Sequence, residues 1–392
     1  MRRLVPFALF VLAAACGSTG NSVSPSDEAD ASVPAVDAGE DAIANGDASA
    51  TDATTPPPDA EGGTVPPDAG PPGAPLSFVV VGCNRLDKGD LQPNKNPSSA
   101  NVAQLERTFA EVAALSPAPK YFFFAGDMVY GLTNETDLKA QLVAWLALYD
   151  ASPLPAAGVT LVPIPGNHES ETKNGSGEVA YAAAETTWLS VMAARIKGSN
   201  GPKAGGPDAL QTDQSQLTYS FDDSGVHFVV MNTDPVGADY QVPVKWISAD
   251  VATAHAAGAR HLFAIGHKPA YPAPTAGATE GLSMFPAARD ALWSALEAAQ
   301  AEAMLSAHNH LWYKTRPTKT WQIVAGNGGS SLENGVTGTD AFFGFTHVAI
   351  AADGSVKATS YGRDVPAAGY NAPAPAATYP TTVRDTFDIT WK

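Results

Sequence analysis

The stretch that decides the reading is Lys120–Tyr130, KYFFFAGDMVY. Its four successive aromatic residues, Tyr121 to Phe124, predict a strand buried on both faces. Gly126 lets the chain turn sharply where that strand stops. Asp127 then stands just past the strand's carboxyl end, where open α/β sheets hold their ligands. Tyr130 follows within reach of the same spot. Three further strand-like runs end in metal-binding residue types: IPGNHE (Ile164–Glu169), FAIGHKP (Phe263–Pro269) and LSAHNH (Leu305–His310).

Around these runs, strand and helix patterns alternate. SFVVVG (Ser77–Gly82) reads as a first strand, with GCNRLDKGD as its loop. Val102, Leu105, Phe109 and Val112 share one face of a helix that Ser98 or Ser99 is expected to cap. Asn134 is expected to cap a second helix, VTLVPIPG supplies a strand, and Glu178–Ile196 has a helical pattern. Leu217–Asp234 reads as a hairpin turning at DDSG. Lys245–Ala257 and Ala287–Ala301 read as helices, with strands AMLSAH, WQIVAG and THVAIAADGSVKATSY closing the set. The expected fold class is α/β: two sheets packed face to face, flanked by helices in four layers, with the four motifs meeting along one edge. Residues 76–362 would form this domain and 363–392 a tail, within which DTFDITW is the one candidate strand.

The 392 residues carry 23 Lys and Arg against 40 Asp and Glu, a net charge of −17. That balance argues against a nucleic-acid-binding surface. Much of the charge lies in Ser26–Gly70, which holds eleven acidic residues and no Lys or Arg. Residues 17–75 lack apolar periodicity and read as a disordered acidic linker. Before them, Arg2, Arg3 and the 12-residue apolar run Leu4–Ala15 form an export signal. That run falls short of the roughly 20 residues a membrane span needs. Its end, LAAAC, resembles a bacterial lipoprotein box with Cys16 as the lipidated residue; a plain signal peptide cut at Ala-x-Ala is the other reading. The expectation is an exported, lipid-anchored protein, otherwise secreted. Cys83 is then left without a partner for a disulfide.

Together the loops offer Asp127, Tyr130, Asn167, His168, His267, His308 and His310. Imidazole and carboxylate suit zinc, iron or manganese rather than calcium. A pair of such ions needs one shared ligand, and a carboxylate with two oxygens serves. Such a pair clamps an in-line phosphoryl displacement. His227, His255, His261 and His347 occupy ordinary strand and helix positions and read as structural.

Gly126-Asp127, Gly166-Asn167-His168-Glu169, Gly266-His267 and Ala307-His308-Asn309-His310 resemble, in order, the motifs of the calcineurin-like metallophosphoesterases. The Tyr of GDMVY further resembles the purple acid phosphatase branch. The resemblance covers about Phe78 to Ile350 and implies a β-sandwich flanked by helices holding two di- or trivalent metal ions, Fe, Zn or Mn. It implies that Asp127 bridges, that Asn167, His267 and His308 complete one ion, and that His310 and Tyr130 hold the other. It makes His168 the group that contacts the phosphate and protonates the leaving oxygen, with Glu169 orienting it. The implied activity is phosphoester hydrolysis, of monoesters, by in-line attack of a metal-bound hydroxide.

One position departs from the family. Its first motif is Gly-Asp, and here Gly82 is followed by Cys83. Three readings stay open: Cys83 ligates as a thiolate; Asp87 or Asn84 substitutes; or the site is mononuclear. Cys83 also suits a strand end as a small buried hydrophobe. Arg85 has the fork geometry for a substrate phosphate. Asn327-Gly328-Gly329 follows a strand and reads either as a loop approaching the substrate or as a simple turn. The alternative function is a catalytically weak or inactive binding domain at the cell surface that keeps this fold. The expected partner is a small phosphorylated substrate, with no nucleic acid, and a membrane only through the lipid anchor.

Overall fold

A computed structural model describes residues 74–174, 177–277 and 280–392. The expected signal, and the linker up to residue 73, lie outside the described residues. The chain enters as β1 (Leu76–Val81), β2 (Tyr121–Ala125) and β3 (Thr160–Ile164), parallel neighbours in one sheet. A small ribbon, β4 (Glu171–Asn174) and β5 (Gly177–Ala180), follows. A second six-stranded sheet takes β6 (Tyr219–Asp223), β7 (Val226–Met231), β8 (His261–Gly266), β9 (Ala303–Ser306), β10 (Trp312–Thr315) and β11 (Trp321–Ala325). The chain then returns to the first sheet as β12 (Phe342–Ile350), β13 (Val356–Asp364) and β14 (Thr382–Asp388). The first sheet runs β14-β13-β12-β1-β2-β3 and the second β10-β11-β9-β8-β7-β6.

The alternation along β2 explains the layers. Tyr121 and Phe123 point between the sheets, while Phe122 and Phe124 point outward to the helices. Inside, Phe78 meets Phe123, Phe228 and Phe263 edge-on, with ring centroids 5.0–5.5 Å apart. Outside, Phe109 and Trp145 of helices Val102–Ala113 and Glu135–Ala151 cover the first sheet. Helices Val244–Ala256 and Pro286–Ala298 cover the second through Ile247, Val251, Leu292 and Leu296. Full burial of each such side chain is worth about 1.5–3 kcal/mol. The expected four-layer sandwich is the observed one. Among the described residues no helix is long and apolar enough to cross a membrane.

Several local expectations change. Neither Ser98 nor Ser99 caps the first helix: it starts at Val102, after Asn101, which makes no side-chain cap. The Asn101 amide instead donates to the Gly329 and Tyr370 carbonyls, because tertiary partners outcompete the local cap. Asn134 does cap its helix, accepting from Asp137 N–H. Glu178–Ala180 lies in a strand, and the helix runs only over Ala182–Met192. The segment after Gly362 is packed down rather than trailing. Arg363 is buried, its guanidinium donating to the Gln104 carbonyl, Thr108 Oγ1 and Glu111 Oε2. Tyr370 Oη accepts from Asp87 N–H at 2.8 Å and donates to Asp90 Oδ2 at 2.7 Å, tying this segment to the loop after β1.

Candidate metal centre

The motif residues follow the carboxyl ends of β1, β2, β3, β8 and β9, which the topology gathers at one edge of the sandwich. Gly126 (φ +81°) makes the turn after β2, and a Cβ there would stand 2.5 Å from His267 Nδ1. Across from it, a Cβ on Gly166 would stand 2.4 Å from Asp127 Oδ1. These glycines are what allow the β2, β3 and β8 loops to meet. Cys83, Asp127 and His308 carry side chains yet have φ of +58°, +56° and +64°. Backbone of that kind persists only where surrounding bonds enforce it, and it clusters at functional sites.

Glu169 does much of that enforcing. Its buried carboxylate accepts from the N–H groups of Asp127 (2.9 Å), Gly166 (2.8 Å) and Val129 (3.1 Å). It therefore does not orient His168, as expected from the resemblance. The Tyr130 carbonyl, accepting from His168 Nδ1, does that instead. The Glu169 oxygens are committed to those amides, two on Oε2 and one on Oε1. Burial and the nearby Asp127 push its carboxyl up to about 8 against the pull of those donors.

Asp127 Oδ1 lies 3.2 Å from His267 Nε2, and Asp127 Oδ2 lies 3.5 Å from Arg85 Nε and 4.0 Å from His168 Nε2. Burial alone would raise its carboxyl. The imidazoles of His267 and His168 and the Arg85 guanidinium outweigh that and hold it well below the carboxylate range. His267 Nε2 also faces Asn167 Oδ1 at 3.0 Å and His308 Nδ1 at 3.2 Å. Burial moves the other way for the rings, bringing His168 down to about 3 and His267 and His310 to about 4.

The donor atoms themselves decide whether this arrangement fits a cation. His267 donates through Nδ1–H to the Ala125 carbonyl (2.7 Å), so its neutral ring has a bare lone pair at Nε2. His308 Nε2 faces Glu280 Oε2 (3.2 Å), which places the proton there and leaves Nδ1 bare. Two lone pairs, an amide oxygen and an ionised carboxylate thus converge with no proton between them, an arrangement a metal ion resolves. A second group adjoins it: Cys83, Asp127 and His310 each offer one ligand atom, all within 4.8 Å of one another. His310 donates through Nδ1–H to the Ser331 carbonyl (2.7 Å), freeing Nε2. The residues fit two neighbouring ions that share Asp127.

Arg85, Tyr130 and His168 line the cleft over these groups, which has a volume of about 520 Å³. The Tyr130 ring packs edge-on against His168, with centroids 5.7 Å apart. Asp87 is engaged elsewhere, and Asn84 through its amide nitrogen, its Oδ1 being buried without a hydrogen-bond partner. Asp87 accepts from Ser331 Oγ at 2.6 Å, and the Asn84 amide donates to the Gly328 carbonyl at 2.9 Å. Asn327-Gly328-Gly329 is buried under the β1 loop, Gly328 N–H donating to the Gly82 carbonyl, and does not line the cleft. His227, His255, His261 and His347 lie away from it.

Sequence reasoning missed Glu280, Glu333 and the charges beneath His267. Glu333 Oε1 accepts from His310 N–H at 3.2 Å. Lys268, fully buried, pairs with Asp234 and Glu171 under the Tyr240 ring. Lys268 directly follows His267 in GHKP, a usable signal, since a lysine is almost never buried unless paired. Glu280 had none beyond being the acid in a loop without a motif.

The sequence model of the calcineurin-like phosphoesterase family matches residues 89–337. The chain belongs to that family. The phosphoesterase match takes in Asp127, Asn167, His168, His267, His308 and His310, and begins after Cys83 and Arg85. The chain is also similar to purple acid phosphatase 21 of Arabidopsis thaliana, 26% identical over 152 residues. That alignment covers 39% of this chain and 30% of the relative. In fold it is similar to the purple acid phosphatase PPD1 of yellow lupin, Lupinus luteus (TM-score 0.51, 18% identity), over 81% of this chain and 54% of that one. It is likewise similar to PhoD (TM-score 0.55, 14% identity), over 82% of this chain and 72% of that one. The chain thus spans about half the length of the lupin protein and under a third of the Arabidopsis one.

Proposed function

We propose that the cleft hydrolyses phosphomonoesters with two metal ions bound at Asp127. The observation that carries this reading is the convergence of protonless His267, His308 and Asn167 donor atoms on one ionised carboxylate, with a second ligand group on its other side. In this reading Asn167, His267 and His308 complete one position, and His310, Tyr130 and Cys83 surround the other. When bound, the ions supply an acidified water and neutralise charge on the phosphoryl oxygens.

The protein's own groups handle the rest. Arg85, its side chain 16% exposed, stands at the cleft wall beside Asp127, ready to receive two phosphate oxygens on its fork. His168 is fixed through Nδ1–H on the Tyr130 carbonyl, so Nε2 is the atom that delivers a proton to the departing alcohol oxygen. The dianionic phosphate favours the protonated ring that burial alone disfavours. Glu169 keeps the Asp127 and His168 loops in register. Turnover of p-nitrophenyl phosphate by metal-loaded full-length protein tests this. Asp127→Asn and His168→Gln are each expected to lose most of it, and wild-type rates in both would end the reading.

The alternative, a binding domain without turnover, draws on one observation: Cys83 where the family carries Asp. Metal analysis separates the two, since a binder would hold one ion or none and show no hydrolysis. Export with a lipid on Cys16 is part of the proposal and rests on the Arg2-Arg3 and LAAAC pattern alone. Labelled fatty acid incorporated by wild type and absent from Cys16→Ser would be the expected result.

A further inference from the structure

We propose that Cys83 is a thiolate ligand, which makes the metal position it shares with His310 selective for a zinc-class divalent cation over ferric iron. This rests on the two-ion reading above. Three observations carry it. Cys83 Sγ, a carboxylate oxygen of Asp127 and a ring nitrogen of His310 lie within 4.8 Å of one another, inside the span that ligands of one ion occupy. The His308 backbone N–H points at Cys83 Sγ at 3.1 Å. An amide donor of this kind stabilises a metal-bound sulfur, just as partners around other ligands tune theirs. Finally, Cys83 is held at φ +58°, its N–H on the Gly126 carbonyl and its own carbonyl accepting from Ser330 N–H, both at 2.9 Å. Such strained backbone is held in place by its surroundings and clusters at functional sites, here in Cys83, Asp127 and His308 together.

Asp87, the nearby carboxylate that could have replaced Cys83, is not part of the group with Asp127 and His310. It is bonded to Ser331 and paired with Arg85 at 3.5 Å, while the Asn84 amide nitrogen donates to the Gly328 and Asn101 carbonyls. The position is therefore left with sulfur, nitrogen and oxygen donors. Thiolate suits zinc, whereas a hard trivalent ion is served by oxygen-rich sets. Tyr130 borders the same cleft, its ring packed edge-on against His168.

The test uses full-length protein, stripped with a chelator and titrated with Co²⁺ under nitrogen. Wild type is expected to take two cobalt ions and to show a sulfur-to-cobalt charge-transfer band in the near ultraviolet. That band disappears in Cys83→Ser and Cys83→Asp, while the visible ligand-field bands of the Asn167–His267–His308 position persist and report folded protein. Offered zinc and iron together, wild type keeps zinc in both positions. Cys83→Asp shifts the zinc-over-iron preference by at least about tenfold, the size of effect that even outer partners of a ligand produce. Two bound cobalt ions without the sulfur band would overturn the thiolate assignment and leave the hydrolase reading standing. No cobalt uptake at all would overturn both. An unchanged zinc preference in Cys83→Asp would overturn the selectivity.

Discussion

Two sets of buried histidines sit in this molecule and are wired in opposite ways. His227, on β7, has a carboxylate on each ring nitrogen: Asp222 on Nδ1 and Asp250 on Nε2, both at 2.9 Å. Burial would lower its pKa, but the two carboxylates override it and lift the ring to about 9. His168, His267 and His310 each give one nitrogen to a backbone carbonyl, of Tyr130, Ala125 and Ser331. A carbonyl fixes the tautomer without adding charge, so burial prevails and the second nitrogen stays bare. Two charged partners thus make His227 a structural cation, whereas one neutral carbonyl partner leaves His168, His267 and His310 a nitrogen free for a ligand or proton-carrier role; His308 frees its Nδ1 with the Glu280 carboxylate on Nε2 instead.

Substitutions can break this contrast, beginning where the largest effect is expected. Asp127→Asn removes the shared charge that the bare nitrogens face. Turnover should fall by about 10³-fold or more, with loss of bound metal by elemental analysis. His168→Gln should lower kcat by about 10²-fold while leaving metal content intact, because general acid help is lost and the ligands are not. Glu280→Ala frees the proton on His308 and should weaken metal binding about tenfold, measured by competition with a chelator, with Glu280→Gln recovering part of it.

His227→Gln should leave turnover unchanged and lower stability instead. The folded ring's value of about 9 exceeds the ordinary 6.5. Its contribution, on the order of 3 kcal/mol, is therefore complete below pH 6.5 and is lost as pH rises through 9. Denaturant midpoints of wild type and variant should converge between pH 7 and 10. A constant gap across that range would refute the charged pairing.

Much of this was legible in the sequence because the fold marks it there. The run Tyr121–Phe124 announces a strand buried on both faces, and each metal-binding motif follows a strand end, so the cluster could be assembled from order alone. The partners that decide protonation were not legible. The Ala125, Tyr130 and Ser331 carbonyls belong to the backbone, which no residue type signals. The resemblance gave Glu169 the task of orienting His168, whereas its hydrogen-bond partners are amides brought close by Gly126 and Gly166. Nothing near Asn101 in the sequence signals its bonds, which run to Gly329 and Tyr370, more than two hundred positions away.

The place of β1 has a consequence for how the molecule comes into being. Its neighbours are β2 and β12, with Leu76 opposite Ile350 in the register. The middle of the first sheet is thus incomplete until residue 350 has been synthesised, and contacts of such long separation form slowly. A product that stops short of residue 342 would leave Phe78 and its strand with an open, apolar edge, the kind of surface that recruits other chains into aggregates.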